Sequence, residues 1–325
     1  METVLNLKDC SPLSEGIVTV GTFDGVHLAH RAIIQDVITK AKSRNVPSTV
    51  VTFDPHPRIV LNRNKEQKVT ILTTTEEKIK IVQSMGPDRL IVIPFTKEFS
   101  ETPADTFVSE TLCKKIGLSS LIVGYDHGFG KDRSGDSESL KKLGKLCDFD
   151  LEIKGPVSNN LGVISSSNIR GYILGGEIEN ANKCLGRNYN LSGVVIHGDG
   201  KGKELNFPTA NIRIDNPNKC LPANGVYIVK INIGQASSNG VMNIGTRPTM
   251  DKKELSLEVH ILDFYEDIYG RVIEIYFYEK IRNEKKFNSL DELKNQISLD
   301  TEYARRYFLK EITSNEHVGI QDNWN

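Results

Sequence analysis

The sequence predicts an α/β half built on a parallel sheet, followed by a small antiparallel β-barrel with a terminal helix. Two observations carry this. Up to about residue 182, apolar runs of strand length alternate with helically spaced apolar residues, a rhythm that gives a parallel sheet with helices on both faces. Beyond about residue 186, apolar residues recur at every second position in short runs separated by turns, as in a small antiparallel barrel. The 325 residues thus divide into 1–182 and 183–325, each long enough for its own core at ~150 residues per domain.

In the first half, Ile17 to Val20 reads as a buried strand, Ile33, Ile34, Val37, Ile38 and Ala41 as a helix, and Ser48 to Phe53 as a second strand. The pattern continues with helices near 75–85, 103–116 and 137–147 and strands at Leu90 to Pro94 and Leu121 to Val123. In the second half Tyr227, Val229, Ile231 and Ile233 share one strand face, Leu255, Leu257, Val259 and Ile261 another, and Ile273, Ile275, Phe277 and Ile281 a third. Ser289, spaced for a capping box with Glu292, opens a last helix, and the polar tail from Ser314 is expected to be loose. Tyr189 to Leu191 fits either a link or a packed segment.

Composition narrows the function classes. With 41 Lys plus Arg against 42 Asp plus Glu, bulk charge calls for neither a nucleic-acid nor a membrane partner. The five cysteines are scattered and never form C-x-x-C, so neither a disulfide framework nor a zinc knuckle is expected, and a reducing cytoplasm fits. The start METVLNLKDC lacks a basic segment followed by an apolar core, and no run approaches the ~20 apolar residues of a membrane span. No export is expected.

Ligands of an open parallel sheet sit outside the carboxyl ends of its strands. GTFDGVHLAH (21–30), TFDPHPR (52–58) and GYDHGFGKDRSGD (124–136) each follow a predicted strand, and ISSSNIR (164–170) fits the same edge. Gly21 and Gly25 permit a tight turn, Asp24 can accept hydrogen bonds within it, and His27 and His30 fall on one face of a helix start. Imidazoles there can donate to phosphate oxygens during phosphoryl or nucleotidyl transfer, with Arg170 as a forked cation and Ser166 and Ser167 as neutral donors. Metal ligation or a purely structural role are the other readings of the histidine pair. Asp54 with His56, and Asp126 with Phe129, fit a turn or loop as well as a site.

In the second half, Gly198, Gly200 and Gly202 can form an anion-binding nest with Lys201 and Lys203, or simply a hairpin turn. Thr209 and Asn211 stand two apart, on one side of an extended segment, where they can share oxygen ligation of magnesium. Glu258 and His260 alternate with apolar neighbours, so Glu258 is either a solvated outer-face carboxylate or a general base for an alcohol.

These motifs carry a resemblance. GTFDGVHLAH resembles the G-x-F-D-G-x-H-x-G-H signature of the nucleotidyltransferases, and with FDPHP, GYDHGFG and ISSSNIR the first half resembles the amino-terminal module of bacterial FAD synthetases. The resemblance implies a Rossmann-like domain transferring AMP from ATP to FMN with release of pyrophosphate. It gives ATP to Gly21, Phe23, Asp24, His27, His30, Ser166, Ser167 and Arg170, with His27, His30 and Arg170 catalytic. Asp54, His56, Asp126 and Phe129 are then expected near the flavin. GDGKGKELNFPTANI, GVYIVKI, GVMNIGTRPT, LEVHILDFYEDIYG and IRNEKKFNSLDELKNQISLD make the second half similar to a riboflavin kinase module. By that likeness Glu258 deprotonates the terminal ribityl hydroxyl, and Gly198, Gly200, Gly202, Lys203, Thr209 and Asn211 take ATP. Thr209 and Asn211 also hold Mg2+, and Arg282 lies near the flavin. Together the halves resemble the bifunctional riboflavin kinase and FAD synthetase family, whose ligands are riboflavin, FMN, FAD and ATP. A second reading keeps kinase activity alone, with the first half a nucleotide- or flavin-binding regulator. A third, a flavin-responsive nucleic-acid-associated regulator, is disfavoured by the absence of a basic stripe. The chain departs from the family pattern at Ala29, His127, Gly128 and Asn206.

Overall fold

The computed structural model describes residues 1–11, 15–62, 64, 68–126, 128, 130–131, 135–198, 207–248 and 253–318. They form two compact units: Met1–Arg170 with Asn218–Cys220, and Gly171–Pro217 with Leu221–Asn325. The division falls earlier than residue 182 because the helix Ile178–Leu185 packs on barrel strands.

In the first unit, strands β1 (Glu2–Val4), β2 (Ile17–Val20), β3 (Ser48–Asp54), β4 (Arg89–Pro94), β5 (Ser120–Gly124) and β6 (Asp150–Lys154) form one sheet in the order β1-β4-β3-β2-β5-β6. Every pairing is parallel. Its central strands are buried on both sides, which is why they read as continuous apolar runs rather than alternating ones. Val50, Leu90 and Val92 face the helices α1 (Leu28–Arg44) and, beyond the short α2 (Pro57–Val60), α3 (Thr75–Met85), through Ile34, Ile38 and Val82. Val51, Ile91 and Ile93 face the other way, onto Phe107, Val108 and Leu112, and Leu140 and Leu143 join that cluster.

The helix expected near 103–116 is not one regular element. After α4 (Lys97–Ser100), α5 (Ala104–Thr106) runs into a π-helical stretch, Phe107–Ile116, ended by Gly117 at φ 86°. Then come α6 (Ser137–Cys147), a small ribbon of β7 (Ser158–Asn159) and β8 (Gly162–Val163), and α7 (Ser166–Gly175).

The second unit contains α8 (Ile178–Leu185) and a closed antiparallel barrel. Its strands are β9 (Tyr189–Ile196), β10 (Ala210–Arg213), β11 (Gly225–Ile233), β12 (Ala236–Pro248), β13 (Lys253–Ile261) and β14 (Val272–Arg282). Tyr189 to Leu191 is therefore barrel strand and not a link. Tyr227, Val229 and Ile231 are fully buried on one face of β11, while Val226 and Ile228 on the other pack beneath Ala304 and Phe308 of α9 (Leu290–Val318). Ile281 departs from the expected face. Of two register shifts between β11 and β14, one falls between Phe277 and Glu279 and flips the side-chain alternation once before Ile281, which itself sits at the second. Ile281 consequently packs with Tyr278 and Tyr307 in the cluster under α9, not with Ile275 and Phe277.

Ser289 opens α9 by accepting the Glu292 amide at 3.1 Å, but Glu292 reaches back to the amide of Asn288 rather than closing the box on Ser289. The helix continues through Ser314, where a loose tail was expected, to Val318.

Candidate active sites

The strand order reverses at β2, which pairs with β3 on one side and β5 on the other. Loops leaving β2 and β5 diverge there and open a crevice at the carboxyl edge of the sheet. An open cavity of about 1090 Å3 lies along this edge. Gly21, Phe23, Asp24, His27, His30, His56, Asp126, Ser166, Ser167 and Arg170 all line it. Phe129 lies outside the described residues, as does His127.

The loop after β2 is strained: Phe23 has φ 45°, Gly25 86° and the β-branched Val26 40°. Such backbone persists only where the surroundings over-determine it. Here Asp24, 1% exposed, is the fastening. Its Oδ1 accepts the amides of Leu72 at 2.7 Å and Thr73 at 3.2 Å, while its Oδ2 pairs with Arg170 Nη1 at 2.6 Å. The Ser166 hydroxyl donates to the Asp24 carbonyl at 2.9 Å, and Gly25 N donates to Thr73 Oγ1 at 3.0 Å. From behind, Lys78 Nζ donates to the Thr22 carbonyl at 2.7 Å and to Thr52 Oγ1 at 3.0 Å.

His27 caps α1, its Nδ1 accepting the His30 amide at 3.4 Å, and the two rings stack with centroids 3.6 Å apart. Burial, then the neighbouring His27 and Lys78, push His30 well below the usual imidazole range, so it is neutral at pH 7. Its Nδ1 is sealed from solvent without a hydrogen-bond partner among the described residues. His56 caps α2 by accepting the Arg58 amide at 3.1 Å, and burial takes it down to about 4 against the opposing pull of Asp24. Asp54 is exposed and accepts the Thr75 hydroxyl. The hydrogen bonds of these two residues are those of a turn; of the two, His56 also lines the cavity. Lys78 went unread in the sequence. Burial lowers it to about 8, opposed by Asp24 and Asp54. Its signal was available: it stands four residues before the buried Val82, on the core side of α3.

A separate cluster stands on the barrel. β10 pairs with β13 so that Asn211 lies directly opposite Glu258, and β12 places Asn243 opposite it on the other side. Thr209 Oγ1 reaches Glu258 Oε2 at 3.4 Å, and Ser256 Oγ donates to Glu258 Oε1 at 2.9 Å. Glu258 is partly buried. His260, on the same face, holds the approach to Thr209 through Nδ1 and the Pro208 carbonyl at 2.8 Å. A Cβ at Gly198 would fall 2.0 Å from Asn211 Nδ2, so close approach of the chain requires glycine there. Gly200, Gly202, Lys203 and Asn206 lie outside the described residues.

Arg282 is bound elsewhere. Its Nε and Nη2 grip Asp300 of α9 at 3.0 and 2.7 Å, and Gln296 supports the same carboxylate. For a metal, the described residues contain no group of three or more His, Cys, Asp or Glu. The hard oxygens of Thr209, Asn211 and Glu258 suit a small divalent cation shared with phosphates rather than an all-protein cage.

Each unit matches a known family: residues 11–168 match FAD synthetase and residues 185–308 riboflavin kinase. The bifunctional riboflavin kinase/FMN adenylyltransferase of Buchnera aphidicola subsp. Schizaphis graminum is 39% identical over 93% of this chain and 96% of its own. The chain belongs to this bifunctional family. Its member from Listeria monocytogenes is 38% identical over 90% of this chain and 93% of its own. A crystal structure described as a macrolide-efflux protein from Streptococcus pneumoniae has the family's two-unit fold, with TM-score 0.85 and 31% identity over 93% of this chain and 98% of that one. Among the described residues of the present chain, no helix is long and apolar enough to cross a membrane.

Proposed function

We propose that this chain phosphorylates riboflavin to FMN on its barrel and adenylylates FMN to FAD at the edge of its sheet, with ATP as donor in both steps. The observation that carries this is the coincidence of each family match with a unit bearing its own polar site.

On the barrel, Glu258 takes the proton of the terminal ribityl hydroxyl. The freed oxygen attacks the γ-phosphorus, the bond to the bridging oxygen breaks, and ADP leaves. Ser256 and the cross-strand neighbours hold the carboxylate in place on rigid strands. Thr209 and Asn211 would hold Mg2+, which when bound neutralises charge on the triphosphate. Gly198, Gly200, Gly202 and Lys203 contribute to the ATP side, and Arg282, fixed by Asp300, borders the flavin.

At the sheet edge, an oxygen of the FMN phosphate attacks the α-phosphorus of ATP, and pyrophosphate leaves with the electrons of the broken bond. No covalent enzyme intermediate is needed. His27, neutral His30 and the remaining N–H groups of Arg170 donate to the phosphate oxygens, while Gly21 and Phe23 shape the loop and Ser166 and Ser167 fix Asp24 and Arg170. By the family likeness Asp54, His56, Asp126 and Phe129 would serve the flavin side, and of these His56 and Asp126 line the cavity. The cavity is slightly larger than the ~300–1,000 Å3 usual for ligand sites, as suits two nucleotides bound together. None of the five cysteines is joined in a disulfide, in keeping with a cytoplasmic location.

The test is a single time course: purified protein, riboflavin, excess ATP and magnesium, resolved by chromatography into riboflavin, FMN and FAD. FMN appears first and FAD follows. FMN alone would remove the adenylyltransferase assignment, and absence of both from folded protein would remove the whole proposal.

A further inference from the structure

One piece of the first unit comes from far along the chain. Asn218–Cys220, in the connection between β10 and β11 and inside the stretch matching riboflavin kinase, belongs to the unit that carries the sheet. Ile71 N donates to the Asn218 carbonyl and Cys220 N to the Ile71 carbonyl, each at 2.8 Å, so the tripeptide docks as a parallel bridge beside residues 71–74. Lys219 enters the interior there. Its side chain is 1% exposed, and its ammonium donates to the Leu72 carbonyl at 2.7 Å and pairs with Glu77, itself 6% exposed.

A buried ammonium is costly unless it is paired and hydrogen-bonded. The place where this one is satisfied matters. The peptide unit joining Leu72 and Thr73 receives the ammonium on its carbonyl oxygen and presents its N–H to Asp24 Oδ1. Cation, peptide and carboxylate form one polarised chain, in which each hydrogen bond strengthens the next. Glu77 extends the hold, because its Oε2 also accepts the Thr74 amide at 2.9 Å. Asp24 in turn fixes Arg170 and the strained loop from Phe23 to Val26.

We propose that Lys219, supplied by the kinase-matching part of the sequence, is a positioning residue for adenylyl transfer, acting through the Leu72–Thr73 peptide on Asp24 and Arg170. It rests on the adenylyltransferase function proposed for the sheet-edge cavity. Lys219 touches no substrate; it sets where the groups that do so stand. The consequence is that residues 1–182 by themselves lack a part of their own site.

The test uses the full chain, with wild-type FAD formation from supplied FMN measured alongside. If wild type makes no FAD, the underlying function fails and this proposal falls with it; the variants bear on Lys219 once wild type turns over. Lys219→Met should lower kcat for FAD formation at least tenfold, the scale expected when groups are displaced by a fraction of an ångström. KM for ATP should change by a smaller factor, and riboflavin kinase turnover should stay within twofold. Because Lys219→Met orphans Glu77, the double variant Glu77→Gln with Lys219→Met is the decisive partner. It should regain the wild-type melting temperature to within a few degrees while kcat stays low, since the carbonyl of Leu72 is still unheld. Wild-type kcat in Lys219→Met, or recovery of both melting temperature and kcat in the double variant, would overturn the proposal. Failure of both variants to fold would also overturn it, making Lys219 a determinant of the fold alone.

Discussion

Asp24→Asn is the sharpest probe of the sheet-edge site. Asn keeps the shape and one carbonyl oxygen, which can still accept the Leu72 and Thr73 amides. What it presents to Arg170 Nη1 is then an amide N–H, a donor facing a donor. The guanidinium, with a side chain 11% exposed, loses its carboxylate partner. Removing one member of a buried ion pair costs about 3–5 kcal/mol. For a unit of this size a kilocalorie moves the melting temperature by about 2–4 °C, so the first unit should melt roughly 6–20 °C lower. Asp24→Ala should be worse, because each orphaned amide adds about 1–3 kcal/mol. Differential scanning calorimetry, read with FAD formation from FMN below the transition, measures both effects. FAD formation should fall by ~10²-fold or more in either variant as Arg170 loses its position, with kinase turnover retained. A melting shift under 2 °C in both variants would refute the claim that Asp24 fastens the loop. Equal shifts for Asn and Ala would show that the Leu72 and Thr73 amides contribute nothing.

Other expectations follow from the same geometry. Glu258→Gln should lower FMN formation by ~10² to 10⁴ while FAD formation from supplied FMN is unchanged, and equal kinase rates in the two proteins would remove Glu258 as base. Lys78, at about 8 in the folded protein against 10.5 unperturbed, loses its charge as pH rises past 8; adenylyl transfer should decline there, and in Lys78→Met the decline should vanish together with most of the rate. The same shift has the opposite sign for stability: between pH 8 and 10.5 the unfolded chain holds the extra proton, so this lysine makes the fold more stable as pH rises, and calorimetry against pH can separate the two effects. His56, at about 4 folded against 6.5 unperturbed, binds its proton more readily unfolded, so stability should be lost as pH falls from 6.5 toward 4, and less of it lost in His56→Asn.

Much of this was legible in the sequence, for identifiable reasons. The central strands, buried on both faces, left continuous apolar runs, and β2, β3 and β4 fall where those runs stand. The carboxyl-edge rule then gathered four polar clusters that span some 150 residues of chain, and most of their candidate side chains line one cavity. What escaped was what depends on contacts between distant residues. The bulges that turn Ile281 outward leave no trace in a period-two pattern. The hold of Asp300, a helix residue 18 positions on, over Arg282 leaves no local mark in the sequence. Lys78, Glu77 and Lys219 went unread because Lys and Glu almost never sit fully buried without a partner, and their partners are invisible in one dimension.

The position of Asp24 resolves an apparent conflict in the site. A free carboxylate beside a triphosphate would repel it, yet the loop proposed to receive ATP carries one at its centre. The structure removes the conflict by commitment: one carboxylate oxygen is taken by two amides and the other by Arg170, with the side chain 2% exposed. In the proposed reaction a nucleotide would therefore meet the cavity-lining groups around the carboxylate rather than the carboxylate. Of the groups the carboxylate holds, Arg170 lines the cavity, beside an uncharged His30 and backed by a lysine that titrates near 8. Net charge at the cavity wall is thus set from behind, by which partners Asp24 keeps, and a change that frees either oxygen turns a scaffold into a repulsive surface.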